Sequence, residues 1–468
     1  MAVRRAKIVA TLGPGSADAA HVASLLAAGT DVVRLNASHG TAEQRAALIA
    51  LVRAAAADAG KPVALLLDLQ GPRIRVGDLA QPLALVPGQE VVFAPEERAG
   101  PGQVPTTYAA LADDVRPGVR ILLDDGLLAA DVTAVERPLV RARVVHGGTL
   151  TSHKGMNLPG VPISAPSLTE KDRADAAFAA QQGLDYVALS FVRRAEDIGD
   201  LRALLPPGIG IVAKIEKDTA LADAERIIEA SDAVMVARGD LGVELPFEEV
   251  PLVQKRLIRQ AIALRRPVIV ATQMLESMVH HPRPTRAEAS DVANAILDGT
   301  DAVLLTAETA VGAYPREAVE AMDRIIREIE AHADLRPPAG DAAEGAGPAR
   351  TEHAVAAAAV AAARMLRVPL IVSFTRSGFS ARVLAAGRPP VPILAVTHDE
   401  RTYRQMALIW GVIPMQTGQT PRYETMLDAA RERILAEGLA RKGDRVVVTA
   451  GVPFDLPGTT NLMKIEEV

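Results

Sequence analysis

Ile209-Gly-Ile-Val-Ala-Lys214-Ile-Glu216 and Ala233-Val-Met-Val-Ala-Arg238-Gly-Asp240 are two short apolar runs, one βα unit apart, and each ends in charge. Apolar, β-branched runs of this length read as buried parallel strands. A buried strand has little use for a carboxylate, because an unpaired buried charge is costly or changes its protonation state. Two carboxylates at the same end of neighbouring strands, with Lys214 beside one, point to a divalent cation and an anionic substrate.

Working outward, the same strand-and-helix rhythm recurs. Strands are predicted at Lys7–Leu12, Asp31–Ser38, Val63–Gln70, Asp185–Phe191, Ile209–Glu216, Ala233–Asp240, Pro267–Met274 and Ala302–Thr306. Amphipathic helices alternate with them, for example over Thr41–Ala59, Pro251–Arg265 and Pro315–His332. Eight βα units predict an α/β fold built on a (β/α)8 TIM barrel over residues 1–70 and 167–335. A doubly wound open sheet is the alternative, but no Gly-x-Gly-x-x-Gly follows any strand.

One gap breaks the rhythm. Residues 71–166 are rich in Pro and Gly, with apolar runs such as Glu90-Val-Val-Phe93 and Val119-Arg-Ile-Leu-Leu123 between turn signals. This segment is expected to be an all-β insertion after strand three, placed as a lid over the barrel mouth. Residues 336–350 read as a Gly/Pro/Ala linker. Residues 351–468 then form a second, C-terminal α/β domain with an open sheet in three layers. It is expected to contain a helix at Ala354–Leu366, strands at Leu370–Phe374, Val391–Thr397 and Arg445–Ala450, and a helix near Thr402–Trp410.

Composition sets the limits. A chain of 468 residues is too long for one ordinary domain, and 49% apolar with 23% charged residues is usual for a globular protein. A net charge of −6 gives no reason to expect nucleic-acid or membrane partners. With no cysteine, disulfides, Cys-ligated zinc, iron–sulfur clusters and a thiol nucleophile are excluded. No apolar run is long enough to span a bilayer and no signal-peptide block is evident, so a cytoplasmic location is expected.

The predicted strand ends gather polar residues on the face where barrel enzymes do their chemistry. Strand two brings Arg34, Asn36, Ser38 and His39; strand three brings Asp68, Arg73 and Arg75; strand four brings Ser190. Strand five adds Lys214 and Glu216, strand six Asp240, strand seven Thr272 and Gln273, and strand eight Thr306 and Glu308. Two carboxylates do not cage Mg²⁺, which keeps positions for water and substrate oxygens. A neighbouring lysine neutralises a phosphoryl group in transfer, and arginines fork onto phosphate oxygens. Any one of these residues alone is equally a strand-end hydrogen bond or a barrel-closing ion pair.

The chain resembles the pyruvate kinase family over essentially its whole length. The resemblance is carried by Lys7-Ile-Val-Ala-Thr-Leu-Gly-Pro14, Arg34-Leu-Asn-Ala-Ser-His-Gly40, Asp68-Leu-Gln-Gly-Pro-Arg-Ile-Arg75 and Lys154-Gly-Met-Asn-Leu-Pro-Gly160. It continues through Lys214-Ile-Glu216, Val236-Ala-Arg-Gly-Asp-Leu-Gly-Val-Glu244, Ala271-Thr-Gln-Met-Leu-Glu-Ser-Met278, Pro282-Arg-Pro-Thr-Arg-Ala-Glu288 and Gly458-Thr-Thr-Asn-Leu462. It implies glycolytic transfer of the phosphoryl group of phosphoenolpyruvate to ADP, giving pyruvate and ATP. By resemblance, Glu216 and Asp240 hold Mg²⁺ (or Mn²⁺), Lys214 and Arg34 meet the phosphoryl group, and Thr272 stands where the enolate is protonated. Gly239 and Asp240 offer amides to the substrate carboxylate, a use suited to a helix start. His39, Arg75 and Lys154 match the nucleotide side, and Glu308 matches a carboxylate behind the proton relay. The family forms tetramers, so a homotetramer is expected.

Departures from the family pattern mark what is particular to this chain. K⁺, where required, is held by positions matching Asn36, Ser38, Asp68 and the carbonyl of Leu69. Arg73 stands where a glutamate accompanies that need, so its charge is read as a substitute for the cation; pairing with a lid carboxylate is the plain alternative. Thr375, Arg376, Ser377, Gly378 and Ser380 match the family's effector-phosphate loop, with Gly451–Gly458 expected nearby. Phe379 replaces an arginine there, which leaves the phosphorylated effector open among fructose 1,6-bisphosphate, a monophosphorylated sugar and AMP. Ala37 and Lys217 replace a bulky aromatic and an asparagine, and Thr306-Ala307 replaces Ser-Gly. Trp410 reads as core or subunit interface. A Mg²⁺-dependent lyase or aldolase barrel and a catalytically silent sensor are the competing functions.

Overall fold

The computed structural model describes residues 3–333, 335, 350–418, 422–452 and 460–468. Eight parallel strands close into a barrel: Lys7–Leu12, Val32–Asn36, Ala64–Asp68, Tyr186–Leu189, Gly210–Ile215, Ala233–Ala237, Val268–Ala271 and Ala302–Leu305. They are near-continuous Val, Ile, Leu and Ala because both faces are covered, by the barrel interior and by the outer helices. The helices start where side chains can satisfy their free amides. Thr41, Thr169 and Thr285 each form a reciprocal cap with the residue three positions on.

Strand one matches its expected range, while strands two to eight are shorter at their C-terminal ends than the apolar runs predicted. Asn36 and Asp68 are the last residues of strands two and three, and Ser38 lies beyond. After strand six the chain turns at once into a helix, Arg238–Glu244, so Gly239 and Asp240 are helical rather than strand residues. Thr272 and Gln273 leave strand seven with positive φ, +70° and +53°. Arg34, Asn36, Asp68 and Lys214 are thus presented by the strands themselves, and Ser38, Ser190, Glu216, Asp240 and Thr272 by the turns above them.

Between strand three and strand four the chain forms its own small body. A six-stranded sheet runs in the order Met156–Asn157, Arg120–Leu123, Leu128–Glu136, Leu139–His146, Glu90–Pro95, Val104–Thr106. Leu83–Leu85 pairs separately with Gly148–Leu150. Phe93, Ile121, Leu123 and Val140 centre a core separate from that of the barrel. The all-β expectation is corrected here by a short helix, Leu111–Asp114, which packs Leu111 into that core.

The last domain has a five-stranded sheet in the order Val412–Gln416, Ile393–Thr397, Ile371–Phe374, Arg445–Ala450, Leu462–Glu467, only the last being antiparallel. Helices cover both faces, giving three layers. The edge strands Val412–Gln416 and Leu462–Glu467 and the helix Tyr423–Ala436 were not expected. The predicted helix at Thr402–Trp410 is also corrected. A helix over Glu400–Gln405 gives way to a 3₁₀ turn at Met406–Leu408, and Ala407 and Leu408 plug the floor of the barrel. Trp410 lies in a turn, 2% exposed, between the guanidinium groups of Arg5 and Arg388. The apolar plug overrides helix periodicity because it buries two side chains against barrel strands. The expected linker at 336–350 falls almost wholly outside the described residues.

Candidate active site

Strands four and five carry Ser190 and Lys214 to one point above the barrel. Lys214 Nζ lies 2.8 Å from Glu216, 3.2 Å from Asp68 and donates to Ser190 Oγ at 2.7 Å. Ser190 is itself anchored, donating to the Leu69 carbonyl at 2.8 Å. Arg34 completes the cluster with Nε and Nη2 on Asp68, at 2.7 and 2.6 Å, and Nη1 on Thr11 at 3.1 Å. Every residue of this group except Arg34 is buried.

Burial and neighbours compete over the charges. Burial works against the Lys214 ammonium, but Asp68 and Glu216 outweigh it and raise its pKa, so the lysine stays charged. Burial likewise opposes the Asp68 carboxylate, yet Lys214 and Arg34 hold it below the usual carboxylate range. Glu216 goes the other way. Burial, together with Asp240 and Asp68, pushes it up in spite of Lys214. It keeps one good donor, the Phe191 amide at 2.7 Å. The Asp240 carboxylate has no hydrogen-bond or ion-pair partner among the described residues. Two oxygen-rich groups that repel each other at a cleft, one unpartnered, suit a hard divalent cation whose remaining positions go to water and substrate.

The strained turn after strand seven faces the short helix. A β-branched residue at positive φ is costly, on the order of 1–3 kcal/mol, and persists only where its surroundings hold it. Arg238 does so, donating from Nη2 to the carbonyls of Thr272 and Gln273 at 2.7 and 3.2 Å while Nη1 pairs with Asp291. The Thr272 hydroxyl then accepts from the Gly239 amide at 2.7 Å and donates to the Ala271 carbonyl at 2.6 Å. A Cβ on residue 239 would meet Thr272 Oγ1 at 3.3 Å, so glycine permits the approach. Glu308 is buried in the short helix Ala307–Ala310 and accepts from the Leu275 and Thr306 amides at 3.1 and 2.7 Å. It ties the end of this turn to strand eight without touching Thr272.

The remaining predicted residues are more dispersed. His39 is exposed, Arg75 has no side-chain partner among the described residues, and Lys154 pairs with Asp124 of the inserted body at 2.8 Å. No hydrogen bond or ion pair joins these three to one another. Asn36 Oδ1 accepts from the Ser38 amide at 3.0 Å, while Ser38 Oγ is buried without a hydrogen-bond partner. Arg73 is half-buried and pairs with no carboxylate among the described residues, so the lid-pairing alternative is not what is seen. It feels Arg75, Asp240, Asp68 and Glu216 together. In the last domain, Thr375–Ser377 lead through Gly378, at φ +73°, into the helix Phe379–Ala386, and the Ser380 hydroxyl contacts Thr460. Residues 453–459 of the neighbouring loop lie outside the described residues.

One bridge escaped the reading of individual residues. Glu244, at the end of the helix that carries Asp240, accepts from Asn157 of the inserted body at 2.9 Å and pairs with Lys217 beyond strand five. Both Glu244 and Asn157 lie inside motifs that were recognised as blocks, as does Thr11. The available signal was the motif itself, since nothing in local periodicity says which motif residues meet.

Comparison with known proteins identifies the family. Residues 3–319 match the model of the pyruvate kinase barrel domain and residues 353–466 that of the pyruvate kinase alpha/beta domain. The chain is 45% identical to a pyruvate kinase of Geobacillus stearothermophilus, over 99% of this chain and 80% of that one. It is equally 45% identical to one of Agrobacterium vitis, covering 99% and 98%. A solved pyruvate kinase from Cryptosporidium parvum superposes with a TM-score of 0.94 at 33% identity, over 99% of this chain and 96% of that one. The chain belongs to the pyruvate kinase family of phosphotransferases.

Proposed function

We propose that the chain transfers the phosphoryl group of phosphoenolpyruvate to ADP, giving pyruvate and ATP, and that the Lys214 cluster is where this happens. The observation that carries the reading is Lys214 Nζ fixed between Asp68, Glu216 and Ser190, with the unpartnered Asp240 in electrostatic reach. Glu216 and Asp240 would hold Mg²⁺ or Mn²⁺. When bound, the cation neutralises charge on the phosphoryl group and on the enolate left behind.

The chain's own residues do the rest. Lys214, kept charged by its two carboxylates, meets negative charge as it builds on the phosphoryl oxygens. Arg34 engages Asp68 and Thr11 through three of its five N–H groups and offers the others to phosphate. The substrate carboxylate takes the amides of Gly239 and Asp240, freeing the Thr272 hydroxyl from Gly239. Thr272 is too weak an acid to protonate the enolate alone, so its hydroxyl passes a proton from water ordered behind it. Glu308 keeps that turn in place. His39, Arg75 and Lys154 take the nucleotide phosphates as the inserted body closes.

Arg73 replaces the monovalent cation. Its guanidinium pairs with no carboxylate among the described residues and, besides Arg75, feels Asp240, Asp68 and Glu216; Asp68 is the carboxylate that K⁺ would otherwise balance. A phosphorylated metabolite at Thr375–Ser380 regulates the enzyme, and the assembly is a homotetramer, as in the family. Among the described residues no helix is long and apolar enough to cross a membrane, in keeping with a cytoplasmic enzyme. The test is pyruvate formation from phosphoenolpyruvate with and without ADP. ADP-dependent turnover is expected; turnover without ADP would indicate a lyase, and none under any effector a silent sensor.

A further inference from the structure

Asp240 and Glu244 stand four residues apart on the helix Arg238–Glu244, so they share one face of it and move together. The Glu244 side chain is 1% exposed, yet only one of its oxygens is satisfied. Oε1 accepts from Lys217 Nζ and, at 2.9 Å, from Asn157 Nδ2, while Oε2 is buried with no hydrogen-bond partner. No step of the transfer chemistry uses this carboxylate. A buried carboxylate with an orphaned oxygen is costly, and the ion pair with half-buried Lys217 is what offsets that cost.

Lys217 directly follows Glu216 in the chain, on extended backbone. Its ammonium lies 5.8 Å from the centre of the Phe191 ring. Phe191 is held at φ +55°, and its amide is a donor to Glu216. Lys217 therefore braces the turn that anchors Glu216 on one side and the helix that carries Asp240 on the other. Asn157 brings in a third element, the short strand Met156–Asn157 of the inserted body. Among the described residues, its bond to Glu244 is the one hydrogen bond or ion pair that joins residues 72–162 to the barrel. The hairpin tip of the inserted body rests on the same helix, where a Cβ on Gly126 would meet Val243 Cγ1 at 3.8 Å.

We propose that Lys217 and Glu244 are positioning residues for the divalent cation. Their ion pair sets where Glu216 and Asp240 stand relative to each other, and Asn157 makes that setting depend on the docked inserted body. The inference rests on the reading that Glu216 and Asp240 hold the cation. Residues behind metal ligands act in this way by fixing the ligands' orientation.

Mn²⁺ serves as the probe on the full-length protein without substrate, with free Mn²⁺ followed by electron paramagnetic resonance. Charge acting through space predicts opposite signs for two variants. Lys217→Met removes a positive neighbour and would tighten Mn²⁺ binding, whereas Glu244→Gln removes a negative one and would loosen it. Positioning predicts one sign: both should weaken Mn²⁺ binding by at least about tenfold. Lys217→Arg, which keeps the ion pair, should stay within about threefold of the unmodified protein. The double variant should be no weaker than either single one, because both remove the same interaction. Asn157→Ala should weaken binding by about threefold, and it keeps the test intact should Lys217→Met or Glu244→Gln not fold. Tighter or unchanged binding in Lys217→Met overturns the proposal, as do additive losses in the double variant or unchanged binding in Asn157→Ala. Asp240→Asn separates this inference from the reading beneath it. If Asp240→Asn loses Mn²⁺ while Lys217→Met and Glu244→Gln bind it normally, positioning alone falls; if Asp240→Asn binds Mn²⁺ normally, the cation assignment falls and positioning with it.

Discussion

Replacing Lys214 with methionine keeps the length of the side chain and removes its charge. The ammonium now sits 2.8 and 3.2 Å from two buried carboxylates. Breaking a buried pair costs about 3–5 kcal/mol. The lower end applies, because Asp68 keeps Arg34 and Glu216 keeps the Phe191 amide. A loss of about 3 kcal/mol lowers the melting midpoint by about 6 °C. Activity should fall further, by about 10²–10³ in kcat, the usual loss when one preorganised charge is removed from a transition state. The stability loss should also depend on pH. Glu216 already has a raised pKa in the folded protein, from burial and from Asp240, and losing Lys214 raises it more. The folded state then binds a proton that the unfolded chain gives up above about 4.3, so stability falls as pH rises through that window. Melting curves of Lys214→Met at pH 5 and pH 8, beside kcat measured at saturating substrate, check both effects. A kcat within about fivefold of the unmodified enzyme would refute the catalytic assignment. A stability deficit that shrinks as pH rises would refute the electrostatic account.

Other consequences are narrower. Burial lowers the Lys7 pKa from 10.5 to about 8 where its ammonium donates to the Val412 carbonyl beneath the barrel. The unfolded chain binds the extra proton between those values, so stability should rise by about 3 kcal/mol from pH 8 to pH 10.5, and Lys7→Met should lack that increment in melting curves. Glu244→Ala should lower the melting midpoint more than Asn157→Ala, because it strands the half-buried Lys217 charge, about 2 kcal/mol against about 1. Arg73→Gln should turn an enzyme that works in tetramethylammonium into one that needs K⁺, read as activity restored by KCl; equal activity in both salts would exclude cation replacement.

How far the chain could be read from its residues depends on where the information lies. The barrel was legible because its strands are continuous apolar runs, and Ile209–Glu216 differs from the observed strand by a residue at either end. Asp240 was assigned to a strand end although it is helical, since the strand-to-helix turn at Arg238 depends on tertiary contacts with Thr272 and Asp291. The edge strand Leu462–Glu467 alternates poorly and is mostly exposed, which leaves little period to detect. Lys214 and Glu216 were legible as charges out of place. The strain at Thr272, the Arg238 clamp and the Glu244 bridge were not, because each joins segments far apart in the chain.

The central claim concerns the destination of one phosphorus atom. Phosphorus NMR of a mixture of phosphoenolpyruvate, ADP, Mg²⁺ and the protein follows it directly. The account predicts that the phosphoenolpyruvate signal is replaced by the γ-phosphate of ATP in step with pyruvate, and that Lys214→Met slows this by about 10²–10³. Pyruvate appearing with inorganic phosphate, and without ATP, would contradict it.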